Sequence, residues 1–206
     1  MIAIIDYGAG NLKSVQKAFS YLGFESVITS EPETILSASH VVLPGVGSFG
    51  EAMHKLDAAG LRETIHKAID SGVPFLGICL GLQLLFEESE ESPGVKGLGV
   101  FRGKVVKIPP KVGYKIPHMG WNSIEMNREC PLFKGIEGEP YVYFVHSYYP
   151  DAEDDSVVCA RTHYTDTLKV GAWKKNVFAM QFHPEKSSDV GLMMLKNFAG
   201  LERGTL

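Results

Sequence analysis

The chain has 206 residues, of which 45% are hydrophobic and 21% are charged, with a formal net charge of −4. This length predicts a single domain over residues 1–206 with a substantial core. The acidic balance and the scattered lysines argue against nucleic-acid binding. No apolar stretch approaches the length that spans a bilayer, so no membrane association is expected.

The three cysteines, Cys79, Cys130 and Cys159, are far apart and include no CxxC pair. This pattern favours neither a disulfide framework nor a zinc site, and the histidines show no HExxH or comparable ligand spacing. Residues 1–6 form an apolar run that is closed by Asp6 and has no basic leader, which favours a first strand over a signal peptide. We therefore expect a cytoplasmic protein without a metal.

In the first half of the chain, apolar runs alternate with segments of helical periodicity. They predict, in chain order, a strand at 2–5, a helix at about 12–22, strands at 24–28 and 41–43, a helical stretch at about 51–70 that is broken near Gly60, and a strand at 75–78. Strands that are apolar throughout, with helices between them, predict a doubly wound parallel sheet with right-handed crossovers.

The second half has a different character after an acidic loop at 87–94. Short β segments are predicted at 100–108, 141–145, 157–160, 168–173 and 177–181, and a last amphipathic helix at about 188–198. We expect the β segments to extend the sheet and to add an antiparallel flap. The predicted fold class is α/β, with a mostly parallel central sheet, flanking helices and a small antiparallel β extension.

The segment from Gly77 to Gly81 places Cys79 between an apolar strand and the start of a helix. Glycines two positions before and after a nucleophile let strand and helix cross closely, which is typical of a nucleophile elbow. The helix that begins at Leu80 would direct free amide hydrogens and its positive dipole end at the sulfur, which favours the thiolate. A cysteine at a strand end is more often a core residue, but the glycines favour a nucleophile that attacks a carbonyl.

A thiol nucleophile needs a base, and the base needs an orienting partner. His183 and Glu185 follow the last predicted strand, and Pro184 between them would stiffen the segment. Because the carboxyl ends of parallel strands share one edge of a sheet, His183 and Cys79 can meet there. A lone His-Pro pair is more often part of an ordinary loop, but its combination with the elbow predicts a triad.

A glycine-rich loop at 44–50 follows the third predicted strand. Its backbone amides and the amide of Leu80 are placed to form an oxyanion hole, although such turns are common in loops of every kind. Two nucleotide motifs are absent from the sequence. Lys13 stands where a dinucleotide fingerprint requires glycine, and there is no GxxxxGK(S/T) loop for ATP. No cofactor is expected.

These motifs resemble those of the class I, or triad-type, glutamine amidotransferases, whose glutaminase domains hydrolyse glutamine to glutamate and ammonia. The resemblance rests on the GxCxGxQ elbow, the PGxG loop and the final HPE. Segments 4–12, 117–122, 143–148 and 181–187 resemble the glutaminase subunits of imidazole glycerol phosphate synthases, in histidine biosynthesis. The resemblance covers nearly the whole chain.

The resemblance implies a role for each matched residue. It makes Cys79 the nucleophile, His183 the general base and then acid, and Glu185 its orienting partner. The oxyanion positions would be Gly45, Val46, Gly47 and Leu80, the glutamine-binding positions Gln83, Glu91, Ser147 and Tyr148, and the partner interface Trp121, Tyr143 and Lys186. Without the resemblance, the interface residues are equally well explained as ordinary surface or core side chains.

The resemblance also implies L-glutamine as substrate and, as partner in a heterodimer, a cyclase (β/α)8-barrel subunit. That subunit would use the ammonia to form imidazole glycerol phosphate and AICAR. No domain that would consume ammonia is recognisable in the sequence, and free ammonia in water becomes mostly ammonium, a poor nucleophile, so an acceptor reached by a sealed route is expected.

Two alternatives remain open at this stage. The glutaminase could serve another synthase, of the aminodeoxychorismate or anthranilate type. Alternatively, the fold could act as a non-catalytic or redox-sensing binding module in which Cys79 is a sensor thiol.

Overall fold

A computed structural model describes residues 1–8 and 10–204 of the chain. Its strands are β1 Ile2–Ile5, β2 Ser26–Thr29, β3 His40–Gly45, β4 Phe75–Cys79, β5 Glu88–Ser89, β6 Gly103–Lys107, β7 His118–Ser123, β8 Glu125–Met126, β9 Tyr141–His146, β10 Tyr148–Ala152, β11 Val158–His163, β12 Thr167–Lys174 and β13 Val177–Met180. Its α-helices are α1 Leu12–Tyr21, α2 Pro32–Ser37, α3 Phe49–Ala58, α4 Leu61–Asp70, α5 Leu80–Leu84 and α6 Ser188–Ala199.

The central sheet has the strand order β2-β1-β3-β4-β13-β12-β11-β8. The first five strands in this order are parallel to their neighbours, and the last three are antiparallel. Beside this sheet lie a smaller sheet, β10-β6-β5, and a two-stranded pair, β7-β9. The predicted fold class, a mostly parallel α/β sheet with an antiparallel extension, is confirmed.

Each face of the central sheet carries its own apolar layer, because successive side chains of a strand point to opposite faces. In β1, Ile2 and Ile4 pack on the face covered by α1 and α6, whereas Ala3 and Ile5 pack on the face covered by α3 and α4. All four side chains are buried. Strands covered on both faces are apolar throughout, which is why the parallel strands could be predicted from continuous apolar runs.

The boundaries differ from the sequence predictions at several places. The strand predicted at 24–28 is β2 Ser26–Thr29, the segment predicted at 100–108 is the shorter β6, and the acidic loop contains β5. The helical stretch at 51–70 is broken as predicted, with Gly60 in the left-handed region at φ 67°. Helix α2 and strands β7, β8 and β10 were not predicted.

Among residues 1–8 and 10–204, no helix is long and apolar enough to cross a bilayer.

Candidate active site

Cys79 ends β4 and lies directly before α5, as the elbow motif predicts. Its backbone has φ 55° and ψ −107°, a strained conformation that non-glycine residues rarely adopt. A Cβ atom on Gly81 would overlap with the carbonyl oxygen of Leu43, and one on Gly77 would lie 2.9 Å from the carbonyl oxygen of Gly81. Both glycines are therefore required by the close crossing of strand and helix.

His183 lies next to this elbow because β13 pairs directly with β4, in parallel, with Met180 opposite Ile78. The imidazole Nδ1 is 2.8 Å from Oε1 of Glu185, and the two side chains are 2% and 0% exposed. The backbone also holds His183 in place, since its N–H donates to the carbonyl of Tyr143 at 3.0 Å. The structure thus brings together the histidine and the carboxylate that were predicted.

The protonation of His183 depends on both of its neighbours. Burial lowers the pKa of His183, but the Cys79 sulfur and the Glu185 carboxylate raise it more, to about 10. The Nε2 atom is buried and makes no hydrogen bond of normal geometry with any described residue, although the ring is close enough to the Cys79 sulfur for that atom to raise the pKa of the imidazole. A charged imidazole beside a sulfur is the arrangement found around activated cysteines.

Asn11 is part of this cluster, and the sequence analysis missed it. Its Nδ2 donates to Oε1 of Glu185 at 2.8 Å, so this oxygen accepts from both Asn11 and His183. Asn11 precedes α1 with φ 72°, at the same sheet edge as Cys79. The carboxyl ends of parallel strands share one edge of a sheet, and this holds for β1 as well as for β4 and β13. The same argument that linked His183 to Cys79 could therefore have identified Asn11, which follows β1.

A cavity of about 310 Å³ opens beside the thiol. Cys79 lines it, together with seven of the eight residues that were predicted to bind substrate or an oxyanion: Val46, Gly47, Leu80, Gln83, Glu91, Ser147 and Tyr148. Pro117, Val145 and His146 also line it. Gly45 lies opposite Cys79 in the β3–β4 pairing, with the buried hydroxyl of Tyr7 against it. The volume lies at the small end of ligand pockets, which suits a substrate of amino-acid size.

Two of the predicted binding side chains are held by specific hydrogen bonds. Oε2 of Glu91 accepts from the amide of Phe49 at 2.7 Å, at the start of α3. Nε2 of Gln83 donates to the carbonyl of Tyr148 and to Oε1 of Gln181, each at 3.1 Å. These side chains are therefore oriented before any ligand binds.

Gln181 is a second residue that the sequence analysis did not single out. It is fully buried, and its Nε2 lies 3.7 Å from Sγ of Cys79. The residue directly follows β13, two positions before His183. Its amide connects the nucleophile to Gln83 on α5.

The three predicted interface residues form one cluster, with Trp121 and Tyr143 on the β7–β9 pair and Lys186 on the turn that follows His183. Trp121 lies opposite Tyr143 in the strand register, with ring centroids 6.1 Å apart, and Nζ of Lys186 lies 5.9 Å from the Tyr143 ring. Trp121 is 53% exposed, and Met119 and Tyr141 on the same two strands are also exposed. This surface, comprising Met119, Trp121, Tyr141, Tyr143 and Lys186, is called the aromatic face below.

A cavity of about 500 Å³ lies at the opposite edge of the sheet, beside Asn176 and Val177 at the start of β13. None of the predicted site residues lines it. Over the part of the chain that the structure describes, no group of three or more histidine, cysteine, aspartate or glutamate side chains could hold a metal ion.

Comparison with known proteins places this geometry in a family. Residues 3–200 match the family described as glutamine amidotransferase class-I. HisH subunits of imidazole glycerol phosphate synthase from Syntrophotalea carbinolica and Methanocaldococcus jannaschii are 50% and 52% identical to the chain, covering 98% of it and 100% of each relative. The chain is a class I glutamine amidotransferase of the HisH group.

Solved structures agree with this amidotransferase assignment at the level of the fold. A structure described as a glutamine amidotransferase has a TM-score of 0.74 at 21% identity, covering 97% of this chain and 100% of the other. The structure of PurLQS from Thermotoga maritima has a TM-score of 0.73 at 20% identity, covering 96% of this chain and 96% of the other. The resemblance drawn from the sequence motifs is confirmed.

Proposed function

We propose that this amidotransferase hydrolyses L-glutamine through a cysteinyl thioester and delivers the ammonia to a cyclase subunit that forms imidazole glycerol phosphate. The observation that carries the proposal is the position of Cys79 and His183 at the ends of the adjacent parallel strands β4 and β13, with Glu185 bonded to His183. The names of the HisH relatives support the choice of pathway. Residues 1–206 would form one glutaminase domain.

In the first half of the reaction, the Cys79 sulfur attacks the side-chain amide carbon of glutamine and forms a tetrahedral intermediate. Amides of the segment Gly45–Gly47 and of Leu80 would bind its oxyanion, because Val46, Gly47 and Leu80 border the cavity beside the sulfur and Gly45 lies opposite Cys79. The charged imidazole of His183 then protonates the departing nitrogen. The C–N bond breaks, ammonia leaves, and a glutamyl thioester remains on Cys79.

In the second half, His183 acts as the base. It takes a proton from a water molecule that attacks the thioester carbonyl, and the C–S bond of the second tetrahedral intermediate breaks. The new carboxyl group of the product loses the second water proton to solvent, glutamate leaves, and the thiolate of Cys79 and the imidazolium of His183 are restored. Glu185 would stabilise the imidazolium and fix the orientation of the ring through Nδ1, at 2.8 Å.

The remainder of the cavity would hold the α-amino acid part of glutamine. Glu91 borders the cavity and its carboxylate complements an ammonium group, and the Ser147–Tyr148 backbone supplies peptide groups to a wall of the same cavity. Gln83 would support this wall, since its amide already donates to the Tyr148 carbonyl.

The cyclase (β/α)8-barrel subunit would bind the aromatic face in a heterodimer. This surface combines exposed aromatic side chains with a lysine. Aromatic residues are enriched at protein interfaces, whereas lysine is not. It belongs to the strand pair that also supplies Val145 and His146 to the cavity, so partner binding and the active site share an element.

The decisive test measures glutamate production in the presence of the cyclase subunit with its nucleotide ligand. We expect Cys79→Ala to lower kcat by more than about a thousandfold, because removal of a nucleophile abolishes the covalent route. Cys130→Ala is the matched control, since it removes a buried thiol that does not line the cavity. Undiminished hydrolysis by Cys79→Ala would contradict the proposal.

Two further measurements separate the alternatives. Co-purification with a barrel cyclase supports the proposed pathway, whereas a stable complex with a chorismate-using synthase would assign the ammonia elsewhere. A redox-sensing module predicts that Cys79 reacts with peroxide but not with a glutamine-analogue alkylator. The proposed glutaminase predicts that the analogue alkylates Cys79 and that excess glutamine slows this alkylation.

A further inference from the structure

The β7–β9 pair carries two buried histidines, one of which lines the cavity, and the triad chemistry does not use them. His118 begins β7 and His146 ends β9, and they are directly opposite each other in the strand register. They are 3% and 5% exposed. Two adjacent buried imidazoles require an explanation, because buried polar groups are costly unless they are fully hydrogen-bonded.

The hydrogen bonds assign a proton position to each ring. Nδ1 of His146 lies 2.9 Å from the carbonyl oxygen of Tyr148, and a carbonyl only accepts, so this nitrogen carries the hydrogen. In the neutral ring Nε2 is then an acceptor, and it lies 3.0 Å from Nδ1 of His118. His118 therefore also carries its hydrogen on Nδ1.

The far end of the pair is also satisfied. Nε2 of His118 is left as an acceptor, and the amide nitrogen of Asn122 lies 3.4 Å from it. The orientation of this amide is fixed independently, since its oxygen accepts from the amide of Ser123 and its nitrogen donates to the carbonyl of His163. Every hydrogen bond from Asn122 to Tyr148 thus points in the same direction.

The near end of the pair leads to the nucleophile. The Tyr148 carbonyl that accepts from His146 also accepts from Gln83, which bonds to Gln181, whose amide in turn lies 3.7 Å from the Cys79 sulfur. A continuous set of polar contacts therefore connects the strand of Trp121 with the wall of the cavity and the thiol.

The surroundings keep both rings neutral. His118 is stacked between Phe144 and Tyr164, with centroids 4.6 and 4.0 Å away. Burial lowers the pKa of His118 to about 4. Burial lowers the pKa of His146 to about 3, more than its hydrogen bond to the Tyr148 carbonyl raises it, and a charged His183 adds to the lowering.

The titratable groups that face the pair are His183, beyond the end of β13, and Tyr164, beyond β11. A charged His183 opposes a proton on His146. Protonation of either ring would also place two N–H donors against each other, because each Nε2 already faces a donor. The hydrogen bonds of the two rings therefore require both His118 and His146 to be neutral.

We propose that His118 and His146 are positioning residues that fix the direction of the Tyr148 carbonyl, and with it the peptide wall that binds glutamine, as a neutral pair tied to the β7–β9 strands. The inference rests on the proposed glutaminase function. It adds a defined pair of side chains through which the strands of the aromatic face hold the substrate wall in place.

Two substitutions at one position test the proposal. In His146→Asn, the amide nitrogen takes the place of Nδ1 and keeps the bond to the Tyr148 carbonyl. In His146→Gln, the amide reaches the position of Nε2, so the bond to His118 survives and the bond to Tyr148 is lost. His54→Gln, at an exposed position on α3, is the control for the loss of an imidazole.

In the complex with the cyclase subunit, we expect His146→Gln to raise KM for glutamine about tenfold, the value of one lost hydrogen bond. We expect kcat to change less than about threefold, and KM of His146→Asn to stay nearer to that of the wild type. A wild-type KM in His146→Gln, or equal effects of the two substitutions, would overturn the proposal.

A second measurement needs no activity and no substitution. In the wild-type chain with ¹⁵N-labelled histidine, long-range ¹H–¹⁵N spectra at pH 7 are expected to show neutral Nδ1–H tautomers for both His118 and His146. A charged ring or an Nε2–H tautomer at either position would refute the bonding pattern. If the wild-type complex hydrolyses no glutamine, the proposed function fails, and the tautomers still decide whether the pair is bonded to Tyr148.

Discussion

Asn11 occupies a position next to the triad that the motif pattern did not reveal. It shares Oε1 of Glu185 with His183, at 2.8 Å in each case, and so restrains the carboxylate that orients the imidazole. The other oxygen, Oε2, is buried and makes no hydrogen bond with any described residue. The orientation of Glu185 therefore depends on these two partners.

We expect Asn11→Ala to lower kcat for glutamine hydrolysis about tenfold, with a smaller effect on KM. The reason is that a carboxylate without its second donor holds the imidazole less well, and one hydrogen bond to a charged group contributes about 1.5–3 kcal/mol. Steady-state kinetics of the complex with the cyclase subunit measure the effect.

Gln16→Ala is the matched control for this substitution, because Gln16 is an amide on the helix that follows Asn11, and its bond goes to the carbonyl of Ser26 instead. Its kcat should equal that of the wild type. An Asn11→Ala enzyme with unchanged kcat would show that His183 alone is sufficient to hold Glu185.

At the level of secondary-structure elements, the β4–α5 elbow depends on glycine at position 81. We expect Gly81→Ala to destabilise the fold by about 1–3 kcal/mol, because the new Cβ overlaps with the Leu43 carbonyl and the backbone must move. Since α5 carries Leu80 and Gln83, hydrolysis should also be lost. Denaturant unfolding and activity measure the two effects.

Gly200→Ala serves for comparison, since the nearest atom to a Cβ there is 3.5 Å away, an ordinary contact. We expect its stability to lie within about 0.5 kcal/mol of the wild type. Equal stability of the two alanine variants would mean that strand and helix can separate at the elbow without cost.

The elements that could be predicted are those that leave a recognisable pattern of hydrophobicity or a motif in the sequence. The parallel strands are continuous apolar runs because helices cover both faces, and the proximity of Cys79, His183 and Glu185 followed from two motifs plus the shared sheet edge. Strand β7 gave no such signal, since it has the sequence His-Met-Gly-Trp-Asn-Ser and a largely exposed outer face. Helix α2 has six residues, too short for its periodicity to be recognised.

The contacts that complete the site were beyond sequence reasoning for a different reason. Asn11 bonds to a residue 174 positions away, and Gln181 to one 102 positions away. The presence of asparagine or glutamine at these positions does not reveal the hydrogen-bond partner, because the arrangement of the loops at the sheet edge determines which side chains meet. Topology could have narrowed the search, but only the folded chain shows which side chains meet.

The β7–β9 pair makes the stability of the protein sensitive to acid. The pKa of His118 is lowered to about 4 and that of His146 to about 3, from 6.5. Between pH 6.5 and about 4 the unfolded chain therefore binds protons that the folded chain does not, and stability falls as the pH falls. The raised pKa of His183 does not contribute to this loss of stability, since that ring is protonated in both the folded and the unfolded chain below pH 6.5.

We expect the stability of the wild type relative to His146→Asn to decrease by about 2 kcal/mol between pH 7 and pH 5, because asparagine does not titrate. Denaturant midpoints of both proteins at the two pH values measure the difference. Titratable groups that do not contact residue 146 cancel in the comparison. A difference that stays constant with pH would mean that folding leaves the pKa of His146 at its ordinary value.

Considered as a whole, the molecule concentrates its candidate functional residues at one edge of the sheet. Helix α1 begins at this edge, next to Asn11, and ends with Tyr21 at the opposite edge. The β7–β9 pair carries Trp121 and Tyr143 of the aromatic face and also supplies Val145 and His146 to the cavity at this edge. Two exposed aromatic residues, Trp121 and Tyr21, therefore lie at the two ends of the fold and allow a matched comparison.

We expect Trp121→Ala to weaken binding of the cyclase subunit by about 2 kcal/mol or more, roughly thirtyfold in Kd, because exposed tryptophans at the centre of an interface contribute strongly. Tyr21→Ala, which removes a side chain that is 79% exposed at the opposite edge, should leave Kd unchanged. Titration calorimetry measures both. Since the β7–β9 pair also supplies the cavity wall, Trp121→Ala at saturating partner should still reduce partner-stimulated glutamine hydrolysis; equal Kd values for the two variants would move the interface away from the aromatic face.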